Sequence, residues 1–183
     1  QTCALPIFEG KFPDDVVNRI CANDDPCGFF HYEDRMDAGE DLADILPDVR
    51  REQGDELAAI FEYYIAHYDD ALPRTLPGMV ELLEDLKAHG YGVWGLTNWS
   101  HETFHLAFEK FPRLEELLQG TVVSGVEKMH KPNADIYELA LNHFGLTAVN
   151  WRSRKLAEGT TRSKPVLPAI NFPSSTSLES NTS

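Results

Sequence analysis

Cysteine is scarce in this sequence, and its few copies follow no metal-binding or disulfide pattern. The 183 residues contain three cysteines, Cys3, Cys21 and Cys27. Their number is odd, and no Cys-x-x-Cys pair is present. Zinc-finger sites and disulfide frameworks need such spacings, so neither class of protein is expected. Reduced thiols in a cytoplasmic protein fit this pattern better.

Long apolar runs are also absent, and basic residues are few compared with acidic ones. No stretch of about eighteen apolar residues is present, so we expect no membrane-spanning helix. No basic segment followed by an apolar one opens the sequence, so we expect no secretory signal and a cytoplasmic location. The whole chain has a formal net charge of −14, and residues 1–150 hold 11 Lys and Arg against 28 Asp and Glu. An acidic surface repels phosphate backbones, so nucleic acid is not an expected partner.

The sequence divides into zones of different character, and the first two are a short segment and a helical zone. Residues 1–7 read QTCALPI, without an initiator Met, and we interpret them as a non-native fusion scar. Residues 8–74 are interpreted as an α-helical module. From Leu57 to Tyr68, apolar side chains recur at i, i+3, i+4, i+7, i+8 and i+11, which predicts one face of a helix.

Two further helices are predicted in this zone from their end signals. Pro13 and the two carboxylates after it favour a helix start, with the helix running through Ile20. A shorter helix is predicted from Gly39 to Ile45. It is expected to end before Pro47, because the residue that precedes a proline disfavours helical backbone.

Residues 75–150 alternate between helical and strand patterns. Pro77 is suited to the first position of a helix that Gly90 closes. Residues 91–96 and 121–123 predict strands, and residues 133–145 predict the next helix. This order predicts an α/β fold with a parallel, doubly wound sheet. By contrast, eleven of the 33 residues in 151–183 are Ser or Thr, and we expect that tail to be disordered or out of frame.

Three polar residues follow the predicted strands. In open α/β sheets, ligands bind beyond the carboxyl ends of the strands, where Thr97 and Asn98 are expected. A Thr hydroxyl and free backbone N–H groups there can hold a phosphoryl or carboxylate oxygen. Lys131 follows the second strand and can neutralise an anion in the same crevice. Taken singly, each residue is also explained by a simple turn or a surface position.

Several short motifs, taken together in their order along the chain, are more specific than any one of these residues. The ordered set runs from Pro77-Gly78 through Leu96-Thr97-Asn98 and Ser124-Gly125 to Lys131-Pro132 and Ile136-Tyr137. This set closely resembles the haloacid dehalogenase-like (HAD) superfamily of hydrolases, in the branch with an α-helical cap. The resemblance covers residues 8–148. It implies that residues 8–74 are the cap, and that residues 75–150 are part of a Rossmann-like core with an incomplete doubly wound parallel sheet.

The resemblance also implies a chemistry. The family uses an Asp nucleophile, in an Asp-x-Asp motif, that attacks phosphorus and forms an aspartyl-phosphate. Thr97 matches the residue that bonds the transferring phosphoryl group, and Lys131 matches the residue that offsets charge on nucleophile and phosphate. Asn98 is expected to help bind substrate. Acidic residues of a fourth motif help to hold Mg²⁺. Members of the dehalogenase type attack carbon and need no metal.

Two of the four expected motifs are missing. No Asp-x-Asp occurs in the sequence, and no Asp follows Asp135. We therefore interpret the chain as a fragment, catalytically incomplete, of a Mg²⁺-dependent phosphatase that acted on a small phosphorylated metabolite. A 2-haloacid dehalogenase and a non-catalytic binding protein with a HAD-like fold remain open. The sequence assigns no metal ligand to this chain, and leaves the substrate and the oligomeric state undetermined.

One pair of histidines is weighed separately. His101 and His105 share a helix face at i, i+4, a spacing that can bind a metal ion. The sequence alone offers no third ligand beside them, so we interpret them as surface residues.

Overall fold

The structure, a computed structural model, describes residues 5–8 and 10–147. The predicted tail at 151–183, and most of the segment at 1–7, lie outside the described residues. Ile7 belongs to that segment and is buried, together with Phe8, in the core of the helical region.

The described residues of the helical region form five α-helices and one 3₁₀ turn. They are α1 (Leu5–Phe8), α2 (Asp14–Ile20), α3 (Phe29–Asp37), α4 (Leu42–Gln53), α5 (Asp55–Ala66) and the 3₁₀ turn Tyr68–Ala71. The predicted helix after Pro13 is confirmed, with carboxylates in its first turn. The helical face predicted from Leu57 to Tyr68 is confirmed as far as Ile65, and its residues in α5 are buried. Tyr68 lies beyond α5, in the 3₁₀ turn.

The prediction that a helix ends before Pro47 is wrong. Helix α4 begins after Asp41, not at Gly39, and continues through Pro47 to Gln53. A proline inside a helix removes one backbone hydrogen bond and costs about 3 kcal/mol. Ile45 and Val49 flank the proline and are fully buried, so the burial of this apolar face offsets that cost.

Aromatic rings fill the core of the helical region. The Phe29 ring packs edge-on against Phe61 at 5.1 Å between centroids, and Phe8 lies 5.6 Å from Tyr64. Tyr32 packs against Phe61 at 5.7 Å. These contacts join α1, α3 and α5 in a single continuous cluster.

The α/β region holds two short strands among short helices. Its elements are α6 (Met79–Ala88), β1 (Gly95–Thr97), α7 (His105–Lys110), α8 (Pro112–Leu117), β2 (Thr121–Val123), α9 (Ser124–Glu127) and α10 (Ala134–His143). Strands β1 and β2 pair in parallel, with Leu96 opposite Val122 and Thr97 opposite Val123. The α/β class with an incomplete parallel sheet is therefore confirmed. None of the helices among the described residues has the length and apolar character needed to cross a membrane.

Two element starts differ from the predictions. The predicted strand 91–96 is present only as Gly95–Thr97, because the Tyr91 N–H bonds the Leu86 carbonyl and belongs to the end of α6. Pro77 lies before α6 rather than in its first turn. Gly78 separates them with a positive φ of 78°, which is not helical backbone, so the helix begins at Met79.

The core of the α/β region is divided. One cluster lies between α6 and α8 around Leu83, one between the sheet and α10 around Ile136, and one around Trp99. An apolar cavity of about 60 Å³ opens between β1 and helices α6, α7 and α8. Packing is thus less continuous here than in the helical region, where one cluster spans all the helices.

Two adjacent leucines of α6 test this account of the core. Leu83 is 2% exposed, whereas Leu82 is 47% exposed. We expect Leu83→Ala to lower the free energy of unfolding by about 2–5 kcal/mol, because it leaves a cavity in the α6–α8 cluster. Leu82→Ala is expected to change it by about 0.5 kcal/mol or less. Urea unfolding followed by circular dichroism measures both, and equal effects would contradict the assigned burial.

Candidate active site

The two strands end side by side, and polar residues follow each of them. Thr97 and Val123 are the last residues of β1 and β2 and are paired in the sheet. Asn98 continues from β1, and Ser124 continues from β2. Because carboxyl ends of parallel strands meet at one edge, the two connections leave the sheet together.

Asn98 joins the first connection to Lys131. Its Nδ2 donates to the Lys131 carbonyl at 3.0 Å, and its Oδ1 accepts the Lys131 N–H at 2.8 Å. The Asn98 amide thus bonds both the carbonyl and the N–H of Lys131. The predicted site residues Asn98 and Lys131, which lie far apart in sequence, are brought into direct contact.

The Lys131 side chain is part-buried and turns back toward β1. Its Nζ donates to the Leu96 carbonyl at 3.3 Å. Burial lowers the pKa of this ammonium, and the nearby negative charge of Asp37 opposes that shift. The lysine thus carries its charge at the carboxyl end of β1, where the sequence predicts an anion-binding group.

Thr97 is buried at the end of β1. Its hydroxyl donates to the Asn98 carbonyl at 3.2 Å, and its side chain contributes to the wall of the apolar cavity. The structure therefore places Thr97 at the strand end that the sequence predicts. Its hydroxyl bonds the next residue, Asn98, and the role of Thr97 toward substrate stays a prediction.

Ser124 and Gly125 close the site from the side of β2. The buried Ser124 hydroxyl accepts the Trp99 N–H at 3.0 Å and donates to the Asp37 carbonyl at 2.6 Å. A Cβ on Gly125 would come within 2.6 Å of the His101 backbone nitrogen, so only glycine fits between the two connections. The sequence identifies this dipeptide as a strand end but does not reveal its role in joining three segments.

The sequence interpretation missed two carboxylates on α3. Burial, with the nearby charges of Glu33 and Asp34, raises the pKa of Asp37 to about 7, although the Ser100 N–H and Lys131 oppose this shift. Burial likewise raises the pKa of Glu33 to about 7, against the effect of the Tyr64 hydroxyl that donates to it. Their i, i+4 spacing places both on one helix face, but the sequence does not show that this face is buried.

The Lys131 ammonium and the Thr97 hydroxyl both lie at the carboxyl end of the sheet, in the crevice where the sequence predicts an anion-binding site. Such groups stabilise negative charge without further reorganisation. Neither of the described strands ends in a carboxylate.

The two raised carboxyl pKa values predict how stability depends on pH. A carboxyl group whose pKa is higher in the folded state holds its proton more tightly there, so folding is favoured at low pH and loses stability as pH rises through about 7. We expect the free energy of unfolding to fall between pH 5 and pH 8, and Glu33→Gln or Asp37→Asn to reduce that fall. Urea titrations at both pH values measure it.

Glu56→Gln is the matched control, since Glu56 is exposed on α5. It is expected to leave the pH dependence as it is in the unmodified chain. Histidines titrate in the same range, so the difference between each variant and the parent is the relevant quantity. The account fails if the α3 variants and the control give the same profile.

Comparison with known proteins identifies the family. The model of the family described as haloacid dehalogenase-like hydrolase matches residues 35–150, which is more than half of the chain. Comparisons with curated proteins and with solved structures each gave no match. The matched region includes the end of α3, both strands and the crevice of Thr97, Asn98 and Lys131. The chain therefore belongs to the haloacid dehalogenase-like hydrolase family.

Proposed function

We propose that this fold is that of a phosphatase for a small phosphorylated metabolite, in which an Asp nucleophile would form an aspartyl-phosphate. The observation that carries the proposal is the Asn98–Lys131 pair, which holds an ammonium group beside the carboxyl end of β1. A phosphoryl group bears its charge on oxygens, and a positive group held in that position would stabilise it.

Thr97 and Lys131 would act on the same ligand. Partial burial of the Lys131 ammonium strengthens its attraction for a phosphoryl oxygen, because water screens the charge less. A Thr hydroxyl can rotate its proton to suit a new partner. The Thr97 hydroxyl would exchange its bond to the Asn98 carbonyl for a bond to the phosphoryl group.

The nucleophile itself is not in the sequence. No Asp-x-Asp is present, and none of Asp14-Asp15, Asp24-Asp25 and Asp69-Asp70 follows a strand. Without an attacking carboxylate, the groups that hold the phosphoryl oxygens have no reaction to assist. We therefore propose that the chain of 183 residues does not turn over substrate.

The residues at the strand ends do not fit a Mg²⁺ ion. In the family's phosphatases, this ion would balance charge on the phosphoryl group. Mg²⁺ needs oxygen ligands, usually including carboxylates. Here Asn98 Oδ1 accepts the Lys131 N–H, and the Lys131 ammonium is itself positive. Burial raises the pKa of Asp37 to about 7, so part of this carboxyl is protonated at neutral pH. No catalytic step through Mg²⁺ follows from these residues.

A 2-haloacid dehalogenase is the second candidate. The apolar wall beside Thr97, which includes Trp99 and Phe104, would suit a halogen-bearing carbon. A non-catalytic binding protein that retains the fold is the third, and the lack of Asp-x-Asp favours it. Activity measurements separate the three.

We predict that the purified 183-residue chain does not hydrolyse p-nitrophenyl phosphate with Mg²⁺. A completed chain, with a strand ending in Asp-x-Asp before residue 8 and a strand ending in paired Asp after residue 146, is expected to do so. Lys131→Ala in the completed chain should lower kcat about 100-fold. Lys128→Ala is the control, because Lys128 is exposed.

Each other outcome has a definite meaning. Mg²⁺-dependent hydrolysis by the unmodified chain would refute its proposed inactivity. Halide release from 2-chloropropionate by the completed chain, without phosphatase activity, would make it a dehalogenase. A completed, folded chain with neither activity would favour the binding protein.

A further inference from the structure

We propose that Asp41, His101 and Glu102 form a binding site for a divalent transition metal ion of the Zn²⁺ class. The site lies where the N-terminus of α4 meets the turn that follows β1. It is separate from the crevice of Thr97 and Lys131, and it does not depend on the proposed phosphatase function.

The geometry brings three ligand atoms together. One imidazole nitrogen of His101 and one carboxylate oxygen from each acid lie within 4.8 Å of one another. His101 Nε2 and Asp41 Oδ1 are already 3.0 Å apart. Two ligands of a tetrahedral Zn²⁺ ion, each at about 2.1 Å, are separated by about 3.4 Å. Small side-chain rotations would therefore close the group around one ion.

Two hydrogen bonds hold Glu102 in place. Glu102 Oε2 accepts the Leu42 N–H at 3.0 Å, which fixes the carboxylate against the first turn of α4. The Glu102 N–H donates to the Ser100 hydroxyl at 3.2 Å, in the turn that carries His101. The second oxygen of the Glu102 carboxylate provides a ligand atom without loss of the bond to Leu42.

The imidazole supplies an independent observation. His101 Nδ1 is buried and has no hydrogen-bond partner among the described residues, while Nε2 faces Asp41. The ion would be bound through Nε2, the nitrogen that faces Asp41, while Nδ1 would carry the proton of the ring. Asp41 is 56% exposed, so an ion can reach the site from solvent.

The donor set selects the class of ion. One imidazole nitrogen with two carboxylates suits Zn²⁺ and its neighbours, with water in the fourth position. Mg²⁺ prefers six oxygens in octahedral geometry and is a poor match. Two acidic side chains beside an imidazole favour a divalent cation over an anion.

The local sequence points to a rival arrangement. Residues 101–105 read His-Glu-x-x-His, a spacing that places two zinc-binding histidines on one face of a helix. Here residues 101–104 form a turn, and α7 begins only at His105, which is exposed. The third ligand comes instead from Asp41 in the helical region. Bound metal would thus connect that region to the turn beside the crevice.

Titration of the folded 183-residue chain with Zn²⁺ tests the site, by calorimetry and by the visible absorption of a Co²⁺ substitute. We expect one equivalent to bind, and binding to weaken at least about tenfold in His101→Ala and Asp41→Asn. Glu102→Gln should also weaken it while keeping an acceptor for Leu42. Mg²⁺ at millimolar concentration should not compete.

His105→Ala is the matched control, and circular dichroism verifies that each variant is folded. Unchanged binding in this variant is expected. An equal loss in His101→Ala and His105→Ala would assign the metal to the two histidines and overturn the proposal. Absence of saturable Zn²⁺ binding would overturn it too.

Discussion

A single side-chain amide joins the two segments that form the predicted site. Asn98 bonds both backbone groups of Lys131, so the connection after β1 and the segment after α9 are held in one register. The Lys131 side chain can then return to the Leu96 carbonyl at the edge of the sheet. A long, flexible lysine loses considerable entropy when it is ordered, and fixing its backbone reduces that cost at the moment of binding.

The helical region depends on the same edge of the sheet. Ser124 bonds the Asp37 carbonyl, and a Cβ on Gly39 would come within 2.9 Å of the Gly125 carbonyl, so the end of α3 lies directly on the connection after β2. This contact brings the acidic face of α3 toward Lys131. Burial, with the charges of Glu33 and Asp34, raises the pKa of Asp37, and Lys131 opposes that shift. The helical region therefore shapes the electrostatics of the crevice. Its predicted identity as a cap is consistent with this position but stays a prediction.

Local sequence patterns predicted which helices and strands form better than they predicted the residues at which these elements begin and end. The apolar face of α5, the parallel pairing of β1 and β2, and the positions of Thr97 and Lys131 follow from periodicity and motif order. Pro47 was misread because the burial of Ile45 and Val49, a tertiary effect, outweighs a local helix-breaking preference. The contribution of Asp37 and the meeting of Asp41 with His101 could not be predicted, since each joins residues far apart in sequence. Only the folded chain brings them together.

The exchange rate of the Lys131 amide proton, measured by NMR, tests the central claim most directly. The Asn98 bond should slow this exchange at least about tenfold relative to an unstructured chain, equivalent to about 1.4 kcal/mol of local stability. Asn98→Ala should remove the protection, whereas Asn142→Ala, at an exposed position on α10, should retain it. Exchange of the Lys131 amide at the unstructured rate in the folded chain would contradict the account.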